Sequence, residues 1–223
     1  MTRLVLLHPL GVDGGFWDGM FADALALDLP GHGSAPCLES GGISGFADAV
    51  IDVLAGERVH LAGLSLGGLV AQEIAARRPD LVDRLVLVST VAVYPSFMRE
   101  MWRERAIIAR ERGLAELADP MAAMWFTERT SPAALRVRER FLAMDPEGYA
   151  RACEALETAD TTALTIQAPT LVVCGVDDLS PFTEAARWLH EHIADSELTW
   201  LDGKHAAVLE RPREFAEAVR RFL

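Results

Sequence analysis

The sequence predicts an α/β fold, a mostly parallel sheet of about six strands with helices on both faces and a helical cap inserted into it. Three observations carry that expectation. Short apolar runs recur along the chain and close on glycine, proline or aspartate turns, segments of helical apolar spacing separate most of them, and residues 94–165 carry no strand pattern.

Leu4-Val5-Leu6-Leu7 is a short apolar run stopped by His8-Pro9, which suits a strand buried on both faces. Residues 24–29 form a second strand running into the Pro30-Gly31-His32-Gly33 turn, with a helix expected between the two. Residues 43–54 have helical spacing. The strand 58–63 then leads through Ser65 into a helix ending near Arg77-Arg78-Pro79, and residues 84–89 repeat the strand pattern. From Tyr94 to Thr165 the chain is rich in Ala, Arg, Glu, Leu and Met and is expected to form short helices broken at Pro120, Pro132 and Pro146. Alternation resumes with a strand at 169–174, a helix at 183–192, a strand at 197–201 and a closing helix from Arg213. Residues 1–93 and 166–223 are therefore expected to form the core, and 94–165 the cap.

Composition narrows the role. Of 223 residues, 51% are apolar and 24% charged, as in ordinary globular proteins. A formal net charge of −12 repels phosphate backbones and anionic membranes, which argues against a nucleic-acid or lipid-surface partner. Arg103, Arg105, Arg110 and Arg112 alternate with Glu104 and Glu111 and are expected on a solvated helix face. Cys37, Cys153 and Cys174 are too few for a disulfide framework, and no Cys/His spacing suits a metal. No dinucleotide or phosphate-loop fingerprint appears, so neither a metal nor an organic cofactor is expected. The opening apolar run is shorter than a signal peptide's core, and no segment approaches a membrane span, so a cytoplasmic protein is expected.

Gly63-Leu64-Ser65-Leu66-Gly67 matches the G-x-S-x-G elbow and lies where that motif belongs, between an apolar strand and a helix. Glycines two positions either side of the serine permit a turn in which side chains would clash. A serine hydroxyl needs a base to take its proton, and the base needs an acid to orient it. In chain order after such a serine come an acid and then a histidine, each following a late strand. Asp177 and Asp178 follow the strand ending at Cys174, and either could receive the imidazole N–H. Of six histidines only His205 lies between the last strand and the last helix. His60 is expected inside the sheet as a hydrogen-bonded core residue, and His190 and His192 on a surface helix. An oxyanion developing on the attacked carbonyl needs two backbone N–H groups. Leu66 supplies one; in His8-Pro9-Leu10-Gly11, Pro9 has no N–H, which leaves Leu10 for the other, with His8 bracing the loop.

With these residues placed, the chain resembles the α/β-hydrolase superfamily, and within it the 3-oxoadipate enol-lactonases. The core stretches carrying the resemblance are His8-Pro9-Leu10-Gly11 with Trp17-Asp18, Asp28 to Gly33, the elbow, Gly175-Val176-Asp177-Asp178 and Gly203-Lys204-His205. In the cap they are Trp125-Phe126-Thr127, Asp145 to Tyr149 with Cys153, and Ala159-Asp160, followed by Ala168-Pro169-Thr170. The resemblance implies Asp178 as the acid, three residues after Gly175. It also implies that Trp125 packs on the substrate and that Arg129 pairs with a substrate carboxylate. The chain departs from the family in opening without an antiparallel strand pair, leaving a sheet edge that a second copy could cover as a homodimer. It also has Pro30 where the family's turn has arginine.

The expected activity is hydrolysis of a carboxylic ester or lactone through an acyl-enzyme on Ser65. The alternatives are a thioesterase, cyclase, lyase or cofactor-free oxygenase on the same fold, or a ligand receptor that retains the three residues.

Overall fold

The computed structural model describes residues 2–223. Its strands are β1 (Leu4–Leu7), β2 (Leu25–Leu27), β3 (Val59–Leu64), β4 (Val82–Val88), β5 (Thr170–Gly175) and β6 (Ser196–Leu201). They form one six-stranded sheet in the order β2-β1-β3-β4-β5-β6, with every pairing parallel. From β1 the chain steps outward to β2, then crosses back and continues the other way from β3. The carboxyl ends of β1 and β3 therefore flank the point where strand order reverses, and open α/β sheets leave a crevice there. The Pro9-Leu10 loop and Ser65 both leave the sheet at that crevice.

Every residue of β1 and β5 is buried, as the unbroken apolar runs require, whereas the edge strands β2 and β6 are mostly half-buried. Around the sheet run α1 (Gly42–Leu54), α2 (Leu66–Arg77), α7 (Ser180–His192), α8 (Ala207–Glu210) and α9 (Pro212–Phe222). α9 buries Phe215, Ala216, Ala218 and Val219 on one face while its charged residues face out. Between β4 and β5 come α3 (Ser96–Arg112), α4 (Ala115–Trp125), α5 (Pro132–Ala143) and α6 (Pro146–Thr158). The side chains of Ser131 and Asp145 cap α5 and α6, with a proline opening each helix where its missing N–H costs nothing. α3 packs along α6, and Arg110 reaches across to Glu147 at 2.7 Å and Glu154 at 2.5 Å.

Three local expectations fail. Between β1 and β2 the structure has only a 3-10 turn, Gly14–Trp17, instead of a helix; Asp13 caps it and Asp28 accepts from the Gly14 N–H at 2.8 Å. Pro120 does not break the cap but lies inside α4. It removes one donation, to the carbonyl of exposed Glu116, which water can satisfy. His60 is not a core residue. It is half-buried beside Asp83, with Nδ1 3.4 Å from a carboxylate oxygen. Among the described residues, no helix is long and apolar enough to cross a membrane.

Candidate active site

The turn from β3 into α2 is held in a conformation that ordinary residues avoid. Ser65 has φ 54° and ψ −109°, a strained backbone for a residue with a side chain and one that costs on the order of 1–3 kcal/mol. Its neighbours make the turn possible. A Cβ on Gly63 would sit 2.1 Å from the Gly67 carbonyl oxygen, and one on Gly67 would sit 2.4 Å from the carbonyl oxygen of Leu7 in β1. The absence of both side chains lets the helix start press against the end of β1. Thr90, just past β4, donates its hydroxyl to the Ser65 carbonyl at 2.8 Å and locks the turn from behind.

A second close approach joins the loops after β5 and β6. A Cβ on Gly175 would lie 2.3 Å from the Lys204 carbonyl oxygen and 2.4 Å from that of Gly203, so only glycine lets these loops touch. This brings Asp178 beside His205, where Nδ1 lies 2.9 Å from Oδ2 and 3.2 Å from Oδ1. A carboxylate only accepts, so Nδ1 is the nitrogen that donates to it, and in the neutral ring Nε2 is the acceptor. The carboxylate is held in turn by the Leu179 N–H at 2.8 Å, and both side chains are buried. Asp177 is exposed, its N–H donating to the Gly203 carbonyl.

The loop after β1 is fixed by His8. The Leu29 N–H donates to its Nε2 at 2.9 Å, so Nδ1 carries the proton and donates to the Pro9 carbonyl at 2.8 Å. Complete burial drives its pKa down to about 4, against smaller opposing contributions from Pro9 and Asp28, and keeps it neutral. His32, its rings 4.8 Å away, is likewise lowered to about 3 by burial. Leu66 opens α2, so its N–H has no acceptor within the helix, and among the described residues neither it nor the Leu10 N–H donates to another loop carbonyl.

Ser65, His205 and Leu10 line one narrow cavity of about 10 Å3, closed on its other side by Trp102, Arg105, Met121, Met124, Trp125, Phe141, Tyr149 and Phe182. His205 is gripped between Phe182 and Trp125, with ring centroids 4.3 Å and 5.6 Å away. The Ala206 N–H donates to the Trp125 carbonyl at 3.0 Å, tying the histidine loop to α4.

Residues 4–218 match the model of the alpha/beta hydrolase family. The chain belongs to that family. It is 33% identical over 177 residues to 3-oxoadipate enol-lactonase 2 of Acinetobacter baylyi, an alignment covering 77% of this chain and 66% of that protein. It is also 33% identical to the pimeloyl-[acyl-carrier protein] methyl ester esterase of Chromobacterium violaceum, over 99% of this chain and 93% of the other. The crystal structure of the enol-lactonase from Burkholderia xenovorans LB400 superposes with a TM-score of 0.92 at 32% identity, covering 99% of this chain and 90% of that one.

Within this α/β hydrolase, the sequence-derived candidates Ser65, Leu10, His205 and Trp125 share the cavity, with Asp178 behind His205 and Leu66 beside Ser65. Arg129 does not join them. It is exposed in the turn between α4 and α5 and is not among the lining residues. The guanidinium in the cavity belongs to Arg105, which was expected on a solvated face but is only 9% exposed. Arg103, Arg110 and Arg112 do face outward, paired with glutamates. The signal that separates Arg105 is its position. Met98, Trp102, Arg105, Ala106 and Ala109 are the buried stripe of α3, and Arg105 occupies a place the helical period reserves for an apolar side chain.

Proposed function

We propose that this α/β hydrolase cleaves a carboxylic ester or lactone through an acyl-enzyme on Ser65. The observation that carries the proposal is the buried His205–Asp178 pair, with His205 lining the same cavity as Ser65. Ser65 Oγ attacks the acyl carbon as His205 Nε2 takes its proton, and Asp178 holds the ring and stabilises the imidazolium. The Leu66 and Leu10 N–H groups receive the oxyanion, a contribution of about 3 kcal/mol per donor where such a donor is removed from comparable sites. The C–O bond then breaks, and His205 returns its proton to the departing oxygen, which in a lactone stays tethered. Water, deprotonated by the same Nε2, releases the acid and regenerates Ser65. The segment 94–165 acts as the cap that sets specificity, with Trp125 against the substrate. Relatives named as enol-lactonases support 3-oxoadipate enol-lactone as the first substrate to try.

The test is steady-state hydrolysis of short p-nitrophenyl esters, a simple lactone, an acyl thioester and 3-oxoadipate enol-lactone by wild type and Ser65→Ala. Turnover that Ser65→Ala lowers by roughly 10⁴-fold or more supports the mechanism. Turnover surviving the substitution, or absent from every substrate, overturns it.

A further inference from the structure

The cavity is lined by apolar and aromatic side chains with no aspartate or glutamate among them, yet it holds a guanidinium. Arg105 makes no salt bridge among the described residues. Its one polar contact is a long one, Nη1 donating to the Tyr149 hydroxyl at 3.4 Å, and its guanidinium lies 5.4 Å from the Trp102 ring. A buried cation without a counter-charge is costly, and removing such a charge from an apolar site is commonly neutral or stabilising. The same wall carries a second unspent group. Trp102 is 3% exposed, and its indole N–H is buried with no acceptor. Tyr149 stands beside them: its oxygen accepts from Arg105, and burial raises its pKa well above the usual phenol value, so it stays neutral and adds no counter-charge. Trp102 and Arg105 are three residues apart on α3 and so project together, while Tyr149 meets them from α6.

We infer that Trp102, Arg105 and Tyr149 form an anion subsite in the wall of the cavity that Ser65 also lines, so that the substrate is an ester or lactone carrying a carboxylate away from the bond that breaks. The inference rests on the hydrolytic reading above for the chemistry at Ser65 but not for the binding of the anion. The unpartnered indole N–H and the unpaired guanidinium on this wall both donate, which suits a carboxylate's acceptor-only oxygens.

The test compares monomethyl glutarate, which keeps one carboxylate, with neutral dimethyl glutarate, reading methanol release by wild type, Arg105→Met and Arg105→Lys. Wild type is expected to favour the half-ester in kcat/KM by at least about tenfold, and Arg105→Met to erase most of that ratio, chiefly through KM. Arg105→Lys, which keeps the charge without the fork, retains part of it. A wild-type ratio near one, or a ratio unchanged in Arg105→Met, overturns the subsite. Without ligand, Arg105→Met should melt no lower than wild type; a clear fall in Tm with unchanged selectivity would mark Arg105 as structural. If Arg105→Met does not fold, Trp102→Phe deletes one donor and should lower the ratio by a smaller factor; an unchanged ratio counts against the site. If wild type cleaves neither ester, hydrolysis fails separately, and glutarate still reports on the anion. It should raise the Tm of Ser65→Ala but not of Ser65→Ala carrying Arg105→Met. No shift in either overturns the subsite.

Discussion

On the sheet side of the cavity the key polar groups are spoken for; on the helical side they are not. His205 Nδ1 has Asp178, Asp178 has the Leu179 N–H, the Ser65 carbonyl has Thr90, and both nitrogens of His8 are bonded. Across the cavity, the Trp102 N–H has no partner and Arg105 has a single 3.4 Å contact. The difference separates two jobs. A catalytic floor must hold its groups at fixed angles before substrate arrives, so it spends its hydrogen bonds internally. A recognition wall keeps donors unsatisfied because the ligand is to satisfy them, and it bears the cost as reduced stability of the free protein.

The sharpest way to break this comparison lies in the floor. Asp178→Asn keeps the shape but can present an amide N–H to the imidazole and favour the wrong tautomer, so kcat should fall by about 10⁴-fold. Exposed Asp177→Asn should stay within about twofold of wild type, since surface changes away from special features have small effects. Equal losses in the two variants, measured on any substrate the wild type turns over, would mean that the observed pairing is not the working one.

How much of this was readable beforehand follows the same division. Ser65, His205 and the two loops were legible because backbone geometry forces glycines into sequence at fixed spacing: Gly63 and Gly67 around the serine, and Gly175 where two loops touch. The Asp177/Asp178 choice turned on one residue of loop phase, which no periodicity encodes. The recognition wall is not legible from charge, which assigns Arg103, Arg105, Arg110 and Arg112 alike to solvent. Whether Arg105 faces in or out depends on the 3.6-residue period shared with Met98, Trp102 and Ala109, and on α6 covering that face. Tyr149 and Phe182 were missed since each is an ordinary apolar-face aromatic until the fold sets it beside Ser65 or His205. The helix expected after β1 failed because Gly14-Gly15 and the Asp13 and Asp28 carboxylates offer the backbone a tighter turn.

A smaller effect sharpens what holds the floor together. His8 and His32 are neutral in the folded protein down to about pH 4 and about pH 3, because burial outweighs the carbonyls and Asp28 that would favour their charged forms. In the unfolded chain both protonate near pH 6.5. As pH falls through 6.5 the unfolded state therefore binds protons that the folded state refuses, and stability is lost progressively until the folded histidines themselves titrate. The full stability is present above pH 6.5, and the loss across this window is on the order of several kcal/mol for the pair. A Tm series from pH 7 to pH 4 should show this decline, and His32→Gln should flatten it by removing one of the two groups. An identical slope in the variant would assign the acid sensitivity to other groups.

The smallest expected effect tests the location of the recognition wall. Arg129 lies in the exposed turn between α4 and α5, four residues beyond Trp125, and does not line the cavity. Its charge is hydrated in the free protein, so pairing it with a substrate carboxylate would gain little over water, about 0–1 kcal/mol for an exposed ion pair. Arg105 starts from the opposite condition, desolvated already, so a carboxylate that reaches it recovers a cost the folded protein has carried. Arg129→Ala should accordingly leave the half-ester to diester ratio within about twofold and the stability within about 0.5 kcal/mol of wild type. A lost ratio in Arg129→Ala alongside an intact one in Arg105→Met would require the α4–α5 turn to fold over the cavity in the bound state. The difference in burial between the two arginines would then describe only the closed, empty protein.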